Sequence, residues 1–168
     1  MKKYKFTFIA AILTFAILFN ACNESEGPTV PNNGGNALKG AYILYGSTNT
    51  TDYAYYDAVK DSVTDFVYST SNPGKSMIVN PGEMRLNSDR KLYVTALGIP
   101  NTPGTIYKID PENNSLVDSL RFGINPNGFA INNNRIIVSN SGGSTVSILD
   151  LDLNLLTDTI QVGGAPND

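Results

Sequence analysis

Thr105-Ile-Tyr-Lys-Ile-Asp110 and Thr145-Val-Ser-Ile-Leu-Asp150 are one pattern written twice, 40 residues apart. The correspondence continues to Leu120-Arg-Phe-Gly-Ile-Asn-Pro-Asn127 and Ile160-Gln-Val-Gly-Gly-Ala-Pro-Asn167, without a gap over 23 positions. Eight of those positions are identical: Thr105, Asp110, Asn114, Leu116, Asp118, Gly123, Pro126 and Asn127 each recur 40 residues later. Upstream, Lys91-Leu-Tyr-Val94 matches Arg135-Ile-Ile-Val138 at an offset of 44. The extra residues fall in Leu97–Gly104, where Gly98, Pro100, Pro103 and Gly104 mark a longer loop.

Between these landmarks, short runs rich in Val, Ile, Tyr and Thr alternate with Gly, Asn, Pro and Ser clusters, the pattern of strands and turns. No segment of helical length carries the 3,4 spacing of apolar positions. A period of 40 to 45 residues with about four strands per unit is the mark of a β-propeller. The expected fold is therefore all-β, a propeller of four-stranded blades, with about two and a half blades present and the ring open. One unit should run Gly128–Ile131, Arg135–Ser139, Thr145–Asp150 and Leu155–Val162. The preceding one should run Glu83–Leu86, Lys91–Ala96, Thr105–Ile109 and Ser115–Phe122. Ala41–Gly46, Ala54–Asp57 and Ser62–Tyr68 read as the second, third and fourth strands of a first unit without its innermost strand. The blades then span about 39–79, 80–124 and 125–164, with the next one cut off after Asp168. An open stack leaves apolar faces wet, so the expectation is a fragment of a longer propeller. The alternative is a short chain that completes a ring by self-association.

These residues resemble the YVTN-type β-propeller family of exported bacterial and archaeal surface proteins. The Tyr-Val-Thr-Asn-like strand appears as Leu92-Tyr-Val-Thr95 and Ile136-Ile-Val-Ser-Asn140. Val146-Ser-Ile-Leu-Asp150 and Ile160-Gln-Val-Gly-Gly-Ala-Pro166 match the strands that follow. The resemblance implies ligand contacts on one rim, here Leu97–Gly104, Ser141–Ser144 and Asn125–Asn127, or in the central channel. Asn125, Asn127 and Asn140 are the candidate ligand-binding residues.

The N-terminus reads as a processing signal. Lys2, Lys3 and Lys5 precede an apolar run from Phe6 to Phe19, 14 residues long. A bilayer core of ~30 Å needs roughly 20 residues of helix, so this run is a secretory signal rather than a span. Residues 1–21 form a signal peptide. Cys22, the only cysteine, follows Ala21 in a context resembling the bacterial lipoprotein box, although Phe19 and Asn20 depart from its usual residues. Lipidation of Cys22 is the expected modification. Residues 22–38 form a flexible linker of Gly, Pro, Asn and acids. Its Asn23–Asn36 portion spans roughly 20 Å root-mean-square. Asn23-Glu24-Ser25-Glu26 resembles the acidic signals that route some lipoproteins outward. The expected location is therefore a membrane-anchored lipoprotein at the outer membrane or cell surface.

Composition narrows the chemistry. Of 12 basic residues, three lie before Cys22, leaving 9 against 15 acidic ones and a net charge of −6 after processing. Such a surface repels phosphate backbones, which argues against nucleic acid as a partner. Histidine is absent, so no Ser-His-Asp triad or His-based zinc site is available within the chain. Tryptophan is absent too, and nothing suggests a stacked quinone. No catalytic, metal-binding or cofactor-binding residue is assigned. Asp150-Leu-Asp152-Leu-Asn154 imitates a calcium loop, but Leu155 and Gln161 stand where Gly and Glu are needed. Asp110-Pro-Glu112 fills the same slots of the repeat, so turn chemistry is the reading. Gly142-Gly143 and Gly163-Gly164 are turns rather than phosphate loops, since no Lys or helix follows. Asp61-Ser62-Val63, Asp118-Ser119-Leu120 and Asp158-Thr159-Ile160 resemble a bacterial O-glycosylation signal. Tyr42, Tyr45, Tyr53, Tyr55 and Tyr56 crowd the first unit, where packing on pleated faces is favoured over a sugar-binding surface.

The expected function is a non-catalytic, lipid-anchored binding module for a protein or glycan at the cell surface. The alternatives are a propeller enzyme whose catalytic residues lie in further blades, and a non-functional truncated product.

Overall fold

The computed structural model describes residues 40–164 and 166. They form three antiparallel sheets. The first contains β1 (Gly40–Gly46), β2 (Thr51–Asp57) and β3 (Ser62–Thr64). The second contains β4 (Pro81–Leu86), β5 (Leu92–Ala96), β6 (Pro103–Asp110) and β7 (Ser115–Ile124). The third contains β8 (Pro126–Asn132), β9 (Arg135–Asn140), β10 (Thr145–Asp150) and β11 (Leu155–Gln161). Each strand pairs with its sequence neighbour, and the four-stranded sheets follow the order the repeat requires. The sheets are successive blades, and among the described residues the ring is open.

Alternation along the strands decides which blade faces which. In β5, Leu92, Val94 and Ala96 enter the core shared with blade 1, while Tyr93 enters the core shared with blade 3. In β6, Tyr107 and Ile109 face blade 1 and Ile106 faces blade 3. A strand sends successive side chains to opposite faces, so an inner strand of a blade covered on both sides buries every position. All five residues of β5 are buried for that reason. Among the described residues blade 3 has one covered face: Ile136 and Val138 are buried, while Ile137 between them is 39% exposed.

Polar bonds fix the stacking. The Tyr93 hydroxyl donates to the Leu151 carbonyl at 2.9 Å, and the Tyr42 hydroxyl to the Pro111 carbonyl at 3.3 Å. Tyr42 lies opposite Tyr55 and Tyr93 opposite Lys108, each two residues before the aspartate closing its third strand. The two phenols are therefore equivalents, each reaching the third turn of the following blade. Near the innermost strands, the Thr95 hydroxyl donates to the Asn127 carbonyl at 2.5 Å. The Glu83 carboxylate accepts the Phe129 amide at 2.6 Å.

The closing aspartates behave as the turn reading requires. Asp57 Oδ1 accepts the amides of Val59 and Lys60, Asp110 Oδ1 that of Glu112, and Asp150 Oδ1 those of Asp152 and Asn154. All three carboxyls are held below their ordinary range. The leading causes are the Lys60 side chain on Asp57, the Glu112 amide on Asp110 and the Asn154 side chain on Asp150.

One segment departs from expectation. Ser62–Tyr68 is not a single strand: β3 ends at Thr64, and a short helix, α1 (Val67–Ser71), follows. Phe66 adopts a left-handed conformation, φ 54°, which turns the chain out of the ladder. Blade 2 keeps its fourth strand paired from Asp110↔Ser115 up to Pro103↔Ile124, whereas β3 pairs with β2 only at Tyr55–Asp57. The upper half of β2 thus has no fourth-strand neighbour. Asp52 takes over that role. Its Oδ1 accepts the Tyr53 amide at 2.8 Å and the Tyr68 amide at 2.9 Å, and its Oδ2 accepts the Ser69 amide at 3.2 Å. The carboxylate satisfies an amide on the strand edge and anchors the helix across it. Val67 and Tyr68 then fill the core that the missing half-strand would cover.

Candidate functional site

The rim joining second to third strands, and blade to blade, is built around two Asn-Pro pairs. Asn80 and Asn125 both adopt positive φ, 60° and 51°, immediately before Pro81 and Pro126. Asparagine tolerates this conformation better than most residues, and proline then starts the innermost strand. The Asn80 carbonyl accepts the Leu97 amide, and the Asn125 carbonyl accepts the Ser141 amide. These are the same bond in consecutive blades.

Asn125 is committed to this architecture. Its Nδ2 donates to the carbonyls of Leu97 and Ile99 at 3.1 and 3.0 Å, and its Oδ1 accepts the Asn101 amide at 2.9 Å. It fastens the Leu97–Gly104 loop to the turn at Ser141–Ser144. Asn140 is fully enclosed, with 0% exposure. Its Nδ2 donates to the hydroxyls of Thr145 and Ser147, while its Oδ1 has no hydrogen-bond partner and rests against Gly123. Asn127 is half-buried, and its carbonyl receives the Thr95 hydroxyl. The three asparagines thus lie along one inter-blade joint, and none of them lines the two rim cavities described next. Cys22 lies outside the described residues.

Two openings on this rim lie between blades. One, about 510 Å³, separates blade 1 from blade 2 and is walled by residues that include Thr51, Asp52, Phe66, Met77, Ile99 and Arg121. The other, about 620 Å³, separates blade 2 from blade 3 along Phe122–Ile124, Gly143, Leu155 and Asp158. Arg121 and Pro103 border both. In the first cavity the titratable groups are Asp52, Tyr68 and Arg121. Burial pushes the Tyr68 phenol up to about 12, so it is neutral at physiological pH. Asp52 is 3% exposed, and its oxygens already hold three amides. Among the described residues no group of three His, Cys, Asp or Glu could hold a metal ion, and no helix is long and apolar enough to cross a membrane.

The tyrosines of blade 1 are largely packing residues. Tyr53 is buried in the blade 1–blade 2 core and Tyr42 packs against it edge-on, ring centres 5.6 Å apart. Ser62, Ser119 and Thr159, the hydroxyl residues of the three Asp-Ser/Thr tripeptides, all lie exposed on the outermost strand of their blades. What sequence reasoning missed is Asp52 and the cavity beside it. A signal existed: Asp52 stands five residues before its closing aspartate, where the other two units carry Thr105 and Thr145.

Among solved structures, the chain is similar to a quinoprotein alcohol dehydrogenase-like protein from Bacteroides thetaiotaomicron. The TM-score is 0.56 at 22% identity, over 77% of this chain and 30% of that one. The fold is a β-propeller. The propeller of this chain spans less than a third of that structure's length, and at this identity the likeness carries the fold alone. No protein-family model and no curated protein matches the chain.

Proposed function

We propose that this chain is an exported YVTN-type propeller lipoprotein, held at the outer membrane or cell surface through Cys22. Its rim serves as a non-catalytic binding module for a protein or glycan. The observation that supports this reading is the blade 1–blade 2 cavity. It is open to the rim, bordered by a loop fastened through Asn125, and lined by no acid–base pair able to do chemistry. The acidic balance argues against nucleic acid.

Two experiments test the reading. Detergent phase partition should place the native protein in the detergent phase and the Cys22→Ser variant in the aqueous phase; equal partition refutes the anchor. Labelled purified chain should bind intact cells saturably. Loss of binding after protease treatment of the cells identifies a protein partner, and loss after periodate identifies a glycan. Absence of saturable binding refutes the module.

The second reading, a propeller enzyme whose catalytic residues lie in further blades, draws on the 30% coverage of the longer structural neighbour. The gene sequence past the codon for Asp168 separates the two: additional repeat units carrying His, Asp and Glu toward the channel favour the enzyme.

A further inference from the structure

Among the described residues, Lys60, Arg85, Arg90, Lys91 and Lys108 each form an ion pair with a carboxylate. Lys75, Arg121 and Arg135 do not, although the chain carries more acids than bases, and of these three only Arg121 borders the two cavities above. Its Nε donates to the Pro103 carbonyl at 3.3 Å, which holds the guanidinium at the cavity border. Its remaining donors have no protein acceptor. The rest of the lining mixes the apolar side chains of Met77, Ile78, Ile99 and the exposed ring of Phe66 with polar ones such as Asn49 and Ser76.

A guanidinium with free donors matches a carboxylate two bonds at a time. The apolar side chains of the lining suit a ring or branched hydrocarbon body. Asp52, the other charged group in the lining, is shielded by its three amides and faces no solvent. We infer that the cavity between blade 1 and blade 2 binds small organic carboxylates, or a carboxylate-bearing terminus of a larger partner, with Arg121 taking the carboxylate. This rests on the binding-module reading and names a ligand chemistry for the same rim.

Indole-3-acetate is a suitable probe, because the chain contains no tryptophan and the indole fluorescence belongs to the ligand alone. Indole-3-acetamide supplies the same body without charge, and tryptamine the same body with a cation. The expected result is saturable binding of the acetate to the full chain, about tenfold tighter than the amide, as one charge-assisted pair allows. Arg121→Gln should remove that preference, and Arg121→Lys should restore part of it. Arg121 is exposed, so these changes leave folding intact, and circular dichroism checks that. Equal affinity for acetate and amide overturns the carboxylate assignment while leaving a binding rim in place. Preference for tryptamine overturns it as well. Absence of binding by all three overturns the cavity as a small-molecule site, whereas the cell-binding assay separately decides the module.

Discussion

Replacing Asp52 with asparagine keeps the shape of the side chain and changes its hydrogen-bond sense. In the native protein the carboxylate accepts three amides, two on Oδ1 and one on Oδ2. The carboxamide of the D52N variant retains one acceptor for Tyr53 and Tyr68 but turns an NH2 toward the Ser69 amide, donor against donor. The lost charge-assisted bond is worth about 1.5–3 kcal/mol. The two retained bonds fall to neutral strength, roughly half. Relief of a buried charge offsets part of this, so the net loss should be about 2–3 kcal/mol. Asp52→Ala removes all three acceptors and should cost more. The assay is urea unfolding followed by far-UV circular dichroism, together with native-state chymotrypsin cleavage after Phe66, which is 57% exposed. The variant should lose stability without a change in slope, and cleavage near α1 should accelerate. A D52N protein within ~0.5 kcal/mol of the native one, with unchanged cleavage, would show that the carboxylate does not hold the helix.

Tyr93→Phe removes the phenol that reaches the Leu151 carbonyl and should lower stability by about 1 kcal/mol, measured by denaturant midpoint. Gly123 has φ +53°, and an added Cβ would lie 2.0 Å from the enclosed Asn140 Oδ1. Gly123→Ala should therefore cost about 2–4 kcal/mol. Gly163→Ala, at the same repeat position with nothing within 4 Å, should be nearly neutral in the same melt. The depressed carboxyls of Asp57, Asp110 and Asp150 contribute stability that is complete above the ordinary carboxyl value of 3.8 and is lost as pH falls below it. Acid unfolding should follow that window, and Asp→Asn at any one turn should flatten it. Burial raises Tyr53, Tyr68 and Tyr93, so the stability they confer is complete below pH 10 and declines above it as the unfolded chain ionises first. Tyrosinate absorbance should rise together with loss of the far-UV signal; tyrosines that titrate smoothly in a folded protein would contradict the burial.

The repeat was legible because it lies in spacing. Two equivalent sheets need the same turn aspartate, the same glycine and the same proline, and these recur at a constant 40 residues. The strands follow with small shifts at their ends. Blade 1 was harder. Val63, Phe66, Val67 and Tyr68 have strand-like composition, and composition cannot reveal that a left-handed Phe66 leaves the ladder. The asparagines were legible as special but not in role. The Asn-Pro pairs at 80 and 125 signal a forced turn, and only the coordinates show Asn125 spending every side-chain donor and acceptor on the backbone. The cavity was not legible, because its walls come from positions as far apart as Thr51 and Arg121, and no local pattern encodes that meeting.

The half-strand replaced by a carboxylate also changes how much this protein tolerates in length. A paired strand cannot gain or lose one residue without turning every later side chain to the wrong face. Between Asp65 and Asn80 no ladder keeps count, and Gly74 sits in open space beside the exposed Pro73. Within it, the exposed Pro73–Ser76 turn is where an epitope or a fluorescent domain can be grafted while both neighbouring blades keep their alignment.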